Sequence, residues 1–504
     1  MFFALPQQSI VNEENREVTD MQPNILMICT DQHRFDTIAT HPGSAAITPN
    51  LERLGEQGVV FDHCYSTSPM CAPSRASMLT GEYPSSHGLW ANGVTLPENR
   101  SLVSRELADA GYRCGLVGKL HLAAAFQGKT EERLNDGFEF YKWAHDPFHG
   151  APDNAYHAWL KERHPGLWAA AEADLVTPDN TNFKHANTGF DEMPTEAHYS
   201  TWVTEEVEGF IAEDDERPFF MLANYFAPHH PFAAPEEYLA QYPVGSVPPP
   251  VGGREELETK PPRQMDASNS SYVGHGPSYV DFTPEELDEI RRTYFAMVTL
   301  VDDCVGRLMQ AVGDRQGGRD TLVILVSDHG EMLGDHALLL KGPMMYDVAV
   351  RVPLILSMPS LLPKGERVSG FASVQDLAST IRRVAGLEPH ERDQGIDLVA
   401  VARGEKSPRP YAWCEYRNSC YPYDPAANTT MYRRHDYKII VWHGNPDEAR
   451  AATGELYDMV NDPDELVNLW DSPEHRNIRL ELYEALADVQ MEHEDRHQVR
   501  EAIW

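Results

Sequence analysis

The stretch TLVILVSDHG, residues 321–330, decides the fold of this chain. Its first seven residues form an unbroken run of mostly aliphatic side chains, and Asp328 and His329 follow directly. Such a run, closed by polar residues and a glycine, is typical of a strand buried on both faces of a parallel sheet. Before it, residues 285–312 place apolar side chains at helical spacing, which predicts a long half-buried helix. The two elements together indicate an α/β fold.

The same alternation extends through the rest of the chain. Further strands are predicted at residues 24–29, 59–65, 113–117 and 219–224, and helices at residues 49–57, 74–79, 102–110 and 196–212. This order predicts a large, mostly parallel sheet flanked by helices on both faces. Beyond about residue 390 the pattern changes to acidic helix and shorter strands, such as 437–442. We therefore predict an N-terminal tail (1–21), a main domain (22–390) and a smaller C-terminal α+β subdomain (391–504).

Two regions interrupt the alternation. Residues 145–195 are rich in Asp, Pro, Asn, His and Trp and predict a long insertion without sheet strands, while residues 242–282 predict loops. Loops above a rigid scaffold usually carry specificity, so we expect the insertion and residues 413–423 to face the substrate. Aromatic residues are more often part of the core, but five are candidates for the mouth of a pocket: Trp143, Trp413, Tyr416, Tyr421 and Tyr423.

The composition excludes several classes of function. The chain has 504 residues, and its 42 basic and 78 acidic side chains give a net charge of −36, which disfavours nucleic acid as a partner. No apolar run reaches about eighteen residues, so no membrane span is expected. Seven cysteines without a CxxC pair, and an N-terminus without a signal pattern, predict a cytoplasmic protein with reduced thiols. An anionic ligand therefore requires a local basic pocket.

Polar side chains follow four of the predicted strands. Ligands of open α/β sheets bind at the carboxyl ends of the strands, where such groups converge. Taken singly, an Asp there is usually a cap or turn residue and a His is usually solvated. Capping does not readily account for six together, which therefore predict a site: Asp31, Lys119, His121, His229, Asp328 and His329.

The segment Cys71-Ala72-Pro73-Ser74-Arg75, followed by ASMLTG to residue 81, is the most specific motif. By its residue types alone it reads equally as a buried cysteine before a Pro-containing helix start, or as a thiolate activated by a helix N-terminus and an arginine. It also resembles the signature of the type I sulfatases, within the alkaline phosphatase superfamily. Other marks of that family occur in order: Thr48-Pro49-Asn50-Leu51, Gly118-Lys119-Leu120-His121, Pro228-His229, Ser327-Asp328-His329-Gly330, Lys341 and Glu455-Leu456-Tyr457-Asp458.

The resemblance, which spans roughly residues 22–470, implies an alkaline phosphatase-like fold whose main domain hydrolyses sulfate monoesters of aryl or sugar type. In that family an enzyme oxidises the cysteine to formylglycine, whose hydrate attacks sulfur and later expels sulfate. Cys71 would then be the nucleophile precursor, and the formylglycine-generating enzyme a transient partner. The family's ligand set for one divalent metal ion corresponds here to Asp31, Gln32, Cys71, Asp328 and His329. Oxygen ligands favour calcium, while the imidazole shifts the preference towards manganese.

The resemblance also implies roles for the remaining polar residues. Arg75 would orient the hydrate, and Lys119 and Lys341 would hold the sulfate and leaving-group oxygens, although lysines are most often simply solvated. His121 would be the base that collapses the covalent intermediate, and His229 would contact and protonate the ester oxygen. General acid–base catalysis of this kind contributes about 10²–10⁴-fold.

Two departures from the common sulfatase pattern keep alternatives open. Gln32 follows Asp31, and His329 follows Asp328, a combination that resembles the phosphonate monoester hydrolase branch. Asn92 likewise resembles a substrate-contacting residue of that branch. A phosphonate or phosphate ester hydrolase on the same scaffold is therefore one alternative, and a non-catalytic binding protein that kept the fold is another. The branch is compatible with a homo-oligomer.

Overall fold

A computed structural model describes residues 22–126, 128–172, 175, 188–190, 193–315, 318–434, 436–444 and 454–494. The predicted tail at residues 1–21 lies outside these ranges. In chain order the strands are β1 (Asn24–Thr30), β2 (Val59–Tyr65), β3 (Arg113–Gly118), β4 (Phe140–Trp143), β5 (Thr188–Phe190), β6 (Phe219–Tyr225), β7 (Phe232–Ala234), β8 (Thr321–Ser327), β9 (Arg351–Val352), β10 (Leu354–Ser357), β11 (Glu366–Ser373), β12 (Ala412–Arg417), β13 (Asn428–Arg434), β14 (Tyr437–His443) and β15 (Gly454–Asp458).

The α-helices alternate with these strands through the main part of the chain. In order they are α1 (Pro49–Glu56), α2 (Cys71–Thr80), α3 (Pro84–His87), α4 (Val103–Asp109), α5 (Ala155–Arg163), α6 (Pro165–Ala171), α7 (Tyr199–Ala212), α8 (Glu236–Leu239), α9 (Pro262–Asn269), α10 (Pro284–Asp314), α11 (Asp347–Val350), α12 (Asp376–Val384), α13 (Leu398–Ala402) and α14 (Arg476–Glu492). Within the described part of the chain, every helix is too short or too polar to span a lipid bilayer.

The central sheet is mostly parallel, as predicted. Its strands follow the order β11-β2-β10-β8-β1-β6-β3-β4, and β9 pairs with β2. The pairs of β1 with β6 and β8, of β3 with β4 and β6, and of β2 with β11 are parallel. The two short strands β9 and β10 run antiparallel to their neighbours. The α/β class with a mostly parallel central sheet is therefore confirmed.

Alternate residues of each strand point to opposite sides of the sheet, and apolar clusters bury both faces. From β1, Leu26 and Ile28 pack in one apolar cluster with residues of α7 and α10, such as Trp202 and Val301. Ile25 and Met27 pack on the other face in a second cluster, which includes residues of α2, α4 and α12. This double covering explains why the strands read as unbroken apolar runs.

The C-terminal region forms its own antiparallel sheet in the order β12-β13-β14-β15. One face packs against α14 through residues such as Trp413, Ile439 and Leu486. The other face, with Met431 and Ile440, packs against the main domain. The smaller α+β unit is thus present, while the exact divisions at residues 21 and 390 stay predictions.

Two loop predictions are wrong in part. The segment 145–195 contains α5 and α6, and its residues 188–190 form β5, which pairs in parallel with β7. Residues 173–174, 176–187 and 191–192 of this insertion lie outside the described ranges. The segment 242–282 contains α9, which begins at Pro262. In both segments, frequent Pro and polar residues hid short elements that are held by tertiary contacts rather than by a long apolar pattern.

Candidate active site

The carboxyl ends of the central strands bring the predicted site together. The register places Thr30 beside Ser327 of β8, and Gly118 of β3 beside Asn224 of β6. The residues that follow these strands therefore emerge at one edge of the sheet. They include Asp31, Gln32, Lys119, His121, His229, Asp328 and His329, of which all but Lys119, His121 and His229 are completely buried.

Gly118 is required where β3 ends. Its φ is +97°, and a Cβ at this position would lie 2.1 Å from the backbone oxygen of Asn224. The tight contact lets the Asn224 amide donate a hydrogen bond to the carbonyl of Lys119 at 2.6 Å. The Lys119 ammonium then lies 2.7 Å from Asp31. Backbone geometry at the strand end thus positions a catalytic candidate.

The sulfatase-like signature builds the start of α2. Cys71 is the first residue of this helix, and all ten residues of α2 are buried. Ser74 donates from its hydroxyl to the Asp328 carbonyl at 2.6 Å, which ties the helix to the end of β8. The helix stops at Gly81, whose φ of +84° is the left-handed conformation that glycine adopts without strain. The predicted helix at 74–79 therefore begins three residues earlier.

A compact donor set lies in front of this helix. One ligand atom each from Asp31, Cys71, Asp328 and His329 lies within 4.8 Å of every other. The His329 Nδ1 is 2.9 Å from the Gly330 carbonyl, so it carries the hydrogen and its Nε2 presents a lone pair to the cluster. Two carboxylates and one imidazole at this spacing fit a divalent metal ion.

Gln32 adds an oxygen to the same place. Its Nε2 donates to Glu331 and lies 3.2 Å from His230 Nδ1, so its Oε1 faces the cluster, 2.7 Å from the Lys341 ammonium. The backbone of Gln32 has a φ of 66°, an uncommon conformation for a residue with a side chain. Glu331, which sequence reasoning missed, is fully buried and is the residue that orients the amide.

Three buried cations surround the sulfur of Cys71 or its carboxylate neighbours: Lys119, Arg75 and Lys341. Arg75 donates from Nε to Asp328 at 2.8 Å and pairs with Asp31 at 3.3 Å. Lys341 lies 3.2 Å from the Cys71 sulfur and 3.0 Å from His329 Nε2. The predicted local concentration of basic groups within an acidic protein is therefore present. Lys119 and Lys341 are buried rather than solvated, and Arg75 is buried as well.

The electrostatics favour a negative charge at position 71. Burial opposes ionisation, but the charges of Lys119 and Lys341 hold the pKa of the Cys71 thiol well below its usual 9.0. Burial and the Lys119 charge lower the pKa of His121, and burial and the Lys341 charge lower that of His229. Both imidazoles interact with the Cys71 sulfur. At neutral pH both are therefore neutral before an anionic substrate binds.

Asn92 lies beside the cluster but has a structural partner. Its Oδ1 accepts a hydrogen bond from the Ala72 amide at 3.1 Å, which satisfies one of the free amides at the start of α2. Its own backbone amide donates to Ser419 Oγ at 2.9 Å. A direct contact between Asn92 and the substrate stays a prediction.

Other sequence marks are structural. Asp302 on α10 accepts hydrogen bonds from the backbone amides of Asn50 and Leu51, and so caps α1 from outside. Four of the five aromatic candidates for the pocket mouth are core residues: Trp143, Trp413, Tyr416 and Tyr423. Tyr421 remains at the surface of the core. The core role explains why an aromatic residue alone was a weak signal.

Comparisons with known proteins agree with this geometry. A family model described as Sulfatase matches residues 23–387, and one described as N-sulphoglucosamine sulphohydrolase, C-terminal, matches residues 334–492. The chain is 31% identical over 485 residues to uncharacterized sulfatase YidJ of Escherichia coli (strain K12), covering 93% of this chain and 87% of that protein. It is 26% identical over 552 residues to an N-acetylglucosamine-6-O-sulfatase of Bacteroides thetaiotaomicron, covering 98% and 90%.

Among solved structures, the phosphonate monoester hydrolase of Agrobacterium radiobacter has a TM-score of 0.78 at 25% identity, covering 94% of this chain and 96% of that one. The similarity extends over both the main domain and the C-terminal sheet. Together with the family match over more than half of the residues, these findings settle the classification. The chain belongs to the sulfatase family and is a sulfuric ester hydrolase of the alkaline phosphatase superfamily.

Proposed function

We propose that this hydrolase cleaves sulfate monoesters of sugars or phenols, using a formylglycine formed from Cys71 and one divalent metal ion, calcium or manganese. The observation that carries the proposal is the position of the Cys71 sulfur, 3.1 Å from His329 Nε2 and 3.2 Å from the Lys341 ammonium. A side chain at this point meets both the donor set and the cations that an anionic ester needs.

The metal would be held by Asp31, Gln32, Asp328 and His329, together with the modified residue 71. When bound, it would act as a Lewis acid on a substrate oxygen, and the formylglycine hydrate would supply the attacking hydroxyl. Arg75 holds Asp31 and Asp328 in place as ligands. Lys119 and Lys341 neutralise the charge on the sulfate oxygens as it grows in the transition state.

The two histidines divide the proton transfers. His229 Nδ1 lies 2.6 Å from the His230 carbonyl and therefore carries the hydrogen, which leaves Nε2 for the substrate. A bound sulfate ester offsets the Lys341 charge and favours the imidazolium, which then protonates the leaving oxygen. The His121 ring interacts with residue 71 and accepts the proton that must leave the hydrate when sulfate is released.

The test combines mass spectrometry with kinetics. The peptide that contains Cys71 should carry the mass of formylglycine in active protein, and an unmodified thiol in fully active protein would refute the proposed nucleophile. A parallel panel of 4-nitrophenyl sulfate, sugar sulfates and a phosphonate monoester should give its highest kcat/KM on a sulfate. Family membership as a hydrolase sets aside the alternative of a non-catalytic binding protein.

A second candidate, hydrolysis of phosphonate monoesters, is favoured by one specific observation. Gln32 and His329, rather than Asp and Asn, complete the donor set, and a phosphonate monoester hydrolase shares the fold over 94% of this chain. A kcat/KM on the phosphonate monoester well above every sulfate in the same panel would reverse the order of the two candidates.

A further inference from the structure

The hydroxyl of Tyr272 lacks a hydrogen-bond partner among the described residues although it is buried. The side chain is 7% exposed, and its ring centroid lies 6.2 Å from that of His230 and 6.0 Å from that of Tyr421. A buried hydroxyl without a partner is destabilising, and native structures keep few of them. The group is therefore a candidate for a partner that arrives with the substrate.

The surroundings of this hydroxyl connect it to the active site. Tyr272 lies next to the ring of His230, and Nδ1 of the same His230 ring contacts the side-chain amide of Gln32. Burial, together with negative charge at Cys420, Glu331 and Cys71, holds the pKa of Tyr272 well above 10.0. The hydroxyl therefore stays protonated throughout the neutral range and is available to donate a hydrogen bond.

The backbone at this position is strained. Tyr272 has a φ of 49° and the next residue, Val273, a φ of 55°, and both are in the left-handed region. This region is unfavourable for β-branched and aromatic residues, and such strain is concentrated at ligand-binding sites. Gly276 leaves room for the ring, because a Cβ there would lie 3.1 Å from Tyr272 Cδ2. The strained turn thus holds the phenol of Tyr272 in a position that a relaxed backbone would not give it.

A flat aromatic surface lies beside the phenol. His275 and Tyr421 stack with ring centroids 4.2 Å apart and an interplanar angle of 11°. His275 is exposed, so the stack lies at the surface of the protein. A hydrogen-bond donor beside a flat apolar surface matches a pyranose ring, which offers hydroxyl and ring oxygens along with an apolar face. A simple aryl leaving group, such as phenol or 4-nitrophenol, offers the phenol of Tyr272 neither a second hydroxyl nor a ring oxygen.

We propose that Tyr272 donates a hydrogen bond to a hydroxyl or ring oxygen of a carbohydrate leaving group and so selects sugar sulfates over simple aryl sulfates. This inference rests on the proposed sulfatase function and specifies its substrate class. A site built to hydrogen-bond a substrate oxygen discriminates strongly against analogues that lack it, because the buried polar group is then left unpaired.

The test is Tyr272→Phe in protein whose residue 71 is modified. We expect kcat/KM on the sugar sulfate that the wild-type enzyme cleaves best to fall about 10–100-fold, and kcat/KM on 4-nitrophenyl sulfate to change by less than about 2-fold. The midpoint of thermal unfolding should not fall, because the lost hydroxyl has no hydrogen-bond partner within the described part of the chain. Equal losses on the two substrates would overturn the proposal.

Tyr112→Phe is the matched control. Its hydroxyl is also buried without a partner in the described residues, but Tyr112 lies before β3, at the opposite edge of the sheet. We expect it to change neither kcat/KM. A wild-type enzyme that cleaves 4-nitrophenyl sulfate but no sugar sulfate would refute the role of Tyr272 alone. A wild-type enzyme inactive on every sulfate would refute the proposed function itself.

Discussion

Two buried lysines show two uses of interior charge. The ammonium of Lys438, on β14, lies 3.0 Å from Asp347 and 2.7 Å from Glu465. The ammonium of Lys341 is also buried, but its hydrogen-bond partners among the described residues are Gln32 Oε1, the Cys71 sulfur and His329 Nε2. Lys438 therefore has carboxylate partners within the fold, whereas none of these partners of Lys341 is a carboxylate.

The difference separates buried charges that stabilise the fold from buried charges that are available for the reaction. Asp347 receives hydrogen bonds from Tyr65, at the end of β2, and from Arg433 and Lys438 of the C-terminal sheet, so this cluster joins the two units. Burial of Asp347 opposes its ionisation, but the charges of Lys438 and Arg433 hold its pKa far below the usual range. A cation without such a partner, like Lys341, is instead available to an anionic substrate.

Replacement of Lys341 should have the largest effect. We expect Lys341→Ala to lower kcat/KM on a sulfate ester about 10²–10³-fold, because a donor to the developing negative charge is lost. The midpoint of thermal unfolding should stay equal or rise, since the free protein loses a buried cation that lacks a carboxylate partner. Steady-state kinetics and calorimetry on the same preparation check both results. Full activity, or a marked loss of stability, would contradict the comparison.

Lys438→Ala should have the reverse outcome. The substitution leaves the carboxylates of Asp347 and Glu465 buried without the positive charge of Lys438, so the free energy of unfolding should fall by about 3–5 kcal/mol. Urea unfolding measures this loss, and kcat per folded molecule should remain that of the wild type. Lys438→Met, which keeps most of the volume, separates the charge from packing and should destabilise to a similar extent. A loss of kcat without a loss of stability would show that the comparison is wrong.

Replacement of Glu331 sharpens the comparison at the donor set. Without this carboxylate the Gln32 amide is free to turn, so Glu331→Ala should weaken metal binding about 10–100-fold. The readout is the rise in the unfolding midpoint as calcium or manganese is added, which does not depend on activity. Glu331→Gln retains an acceptor oxygen and should lose less. Identical metal titrations for all three proteins would exclude a positioning role.

The smallest effect concerns pH. The pKa of His121 and of His229 lies below 6.5, chiefly because of burial and secondly because of the nearby lysine charges. His229 must carry a proton to protonate the leaving oxygen, and a group with a lowered pKa carries it in the free enzyme only below pH 6.5. The dependence of kcat/KM on pH reports the free enzyme, so kcat/KM should rise as the pH falls from the neutral range and level off only below 6.5. A plateau that already begins above pH 6.5 would contradict the role of the lysine charges.

Sequence reasoning reached those parts of the molecule that local patterns encode. The unbroken apolar runs of β1 and β8 gave the sheet, and the polar residues after them gave the site, because strand ends converge. Glu331 gave no signal, since its partner Gln32 lies 299 positions away. The link from Asp347 to Lys438 spans 91 positions and is equally invisible. The strained turn at Tyr272 depends on a backbone conformation that its residue types disfavour.

The burial of α2 has a consequence for the order of events in the life of the protein. Cys71 is 2% exposed and begins a helix whose residues are all buried, so another enzyme can reach its sulfur only while this segment is still extended. If residue 71 is converted to formylglycine, the conversion must therefore precede folding. A chain that folds first would be stable and complete in shape, yet permanently inactive. The fraction of molecules that can turn over substrate would then be set by how often residue 71 is converted before the chain folds.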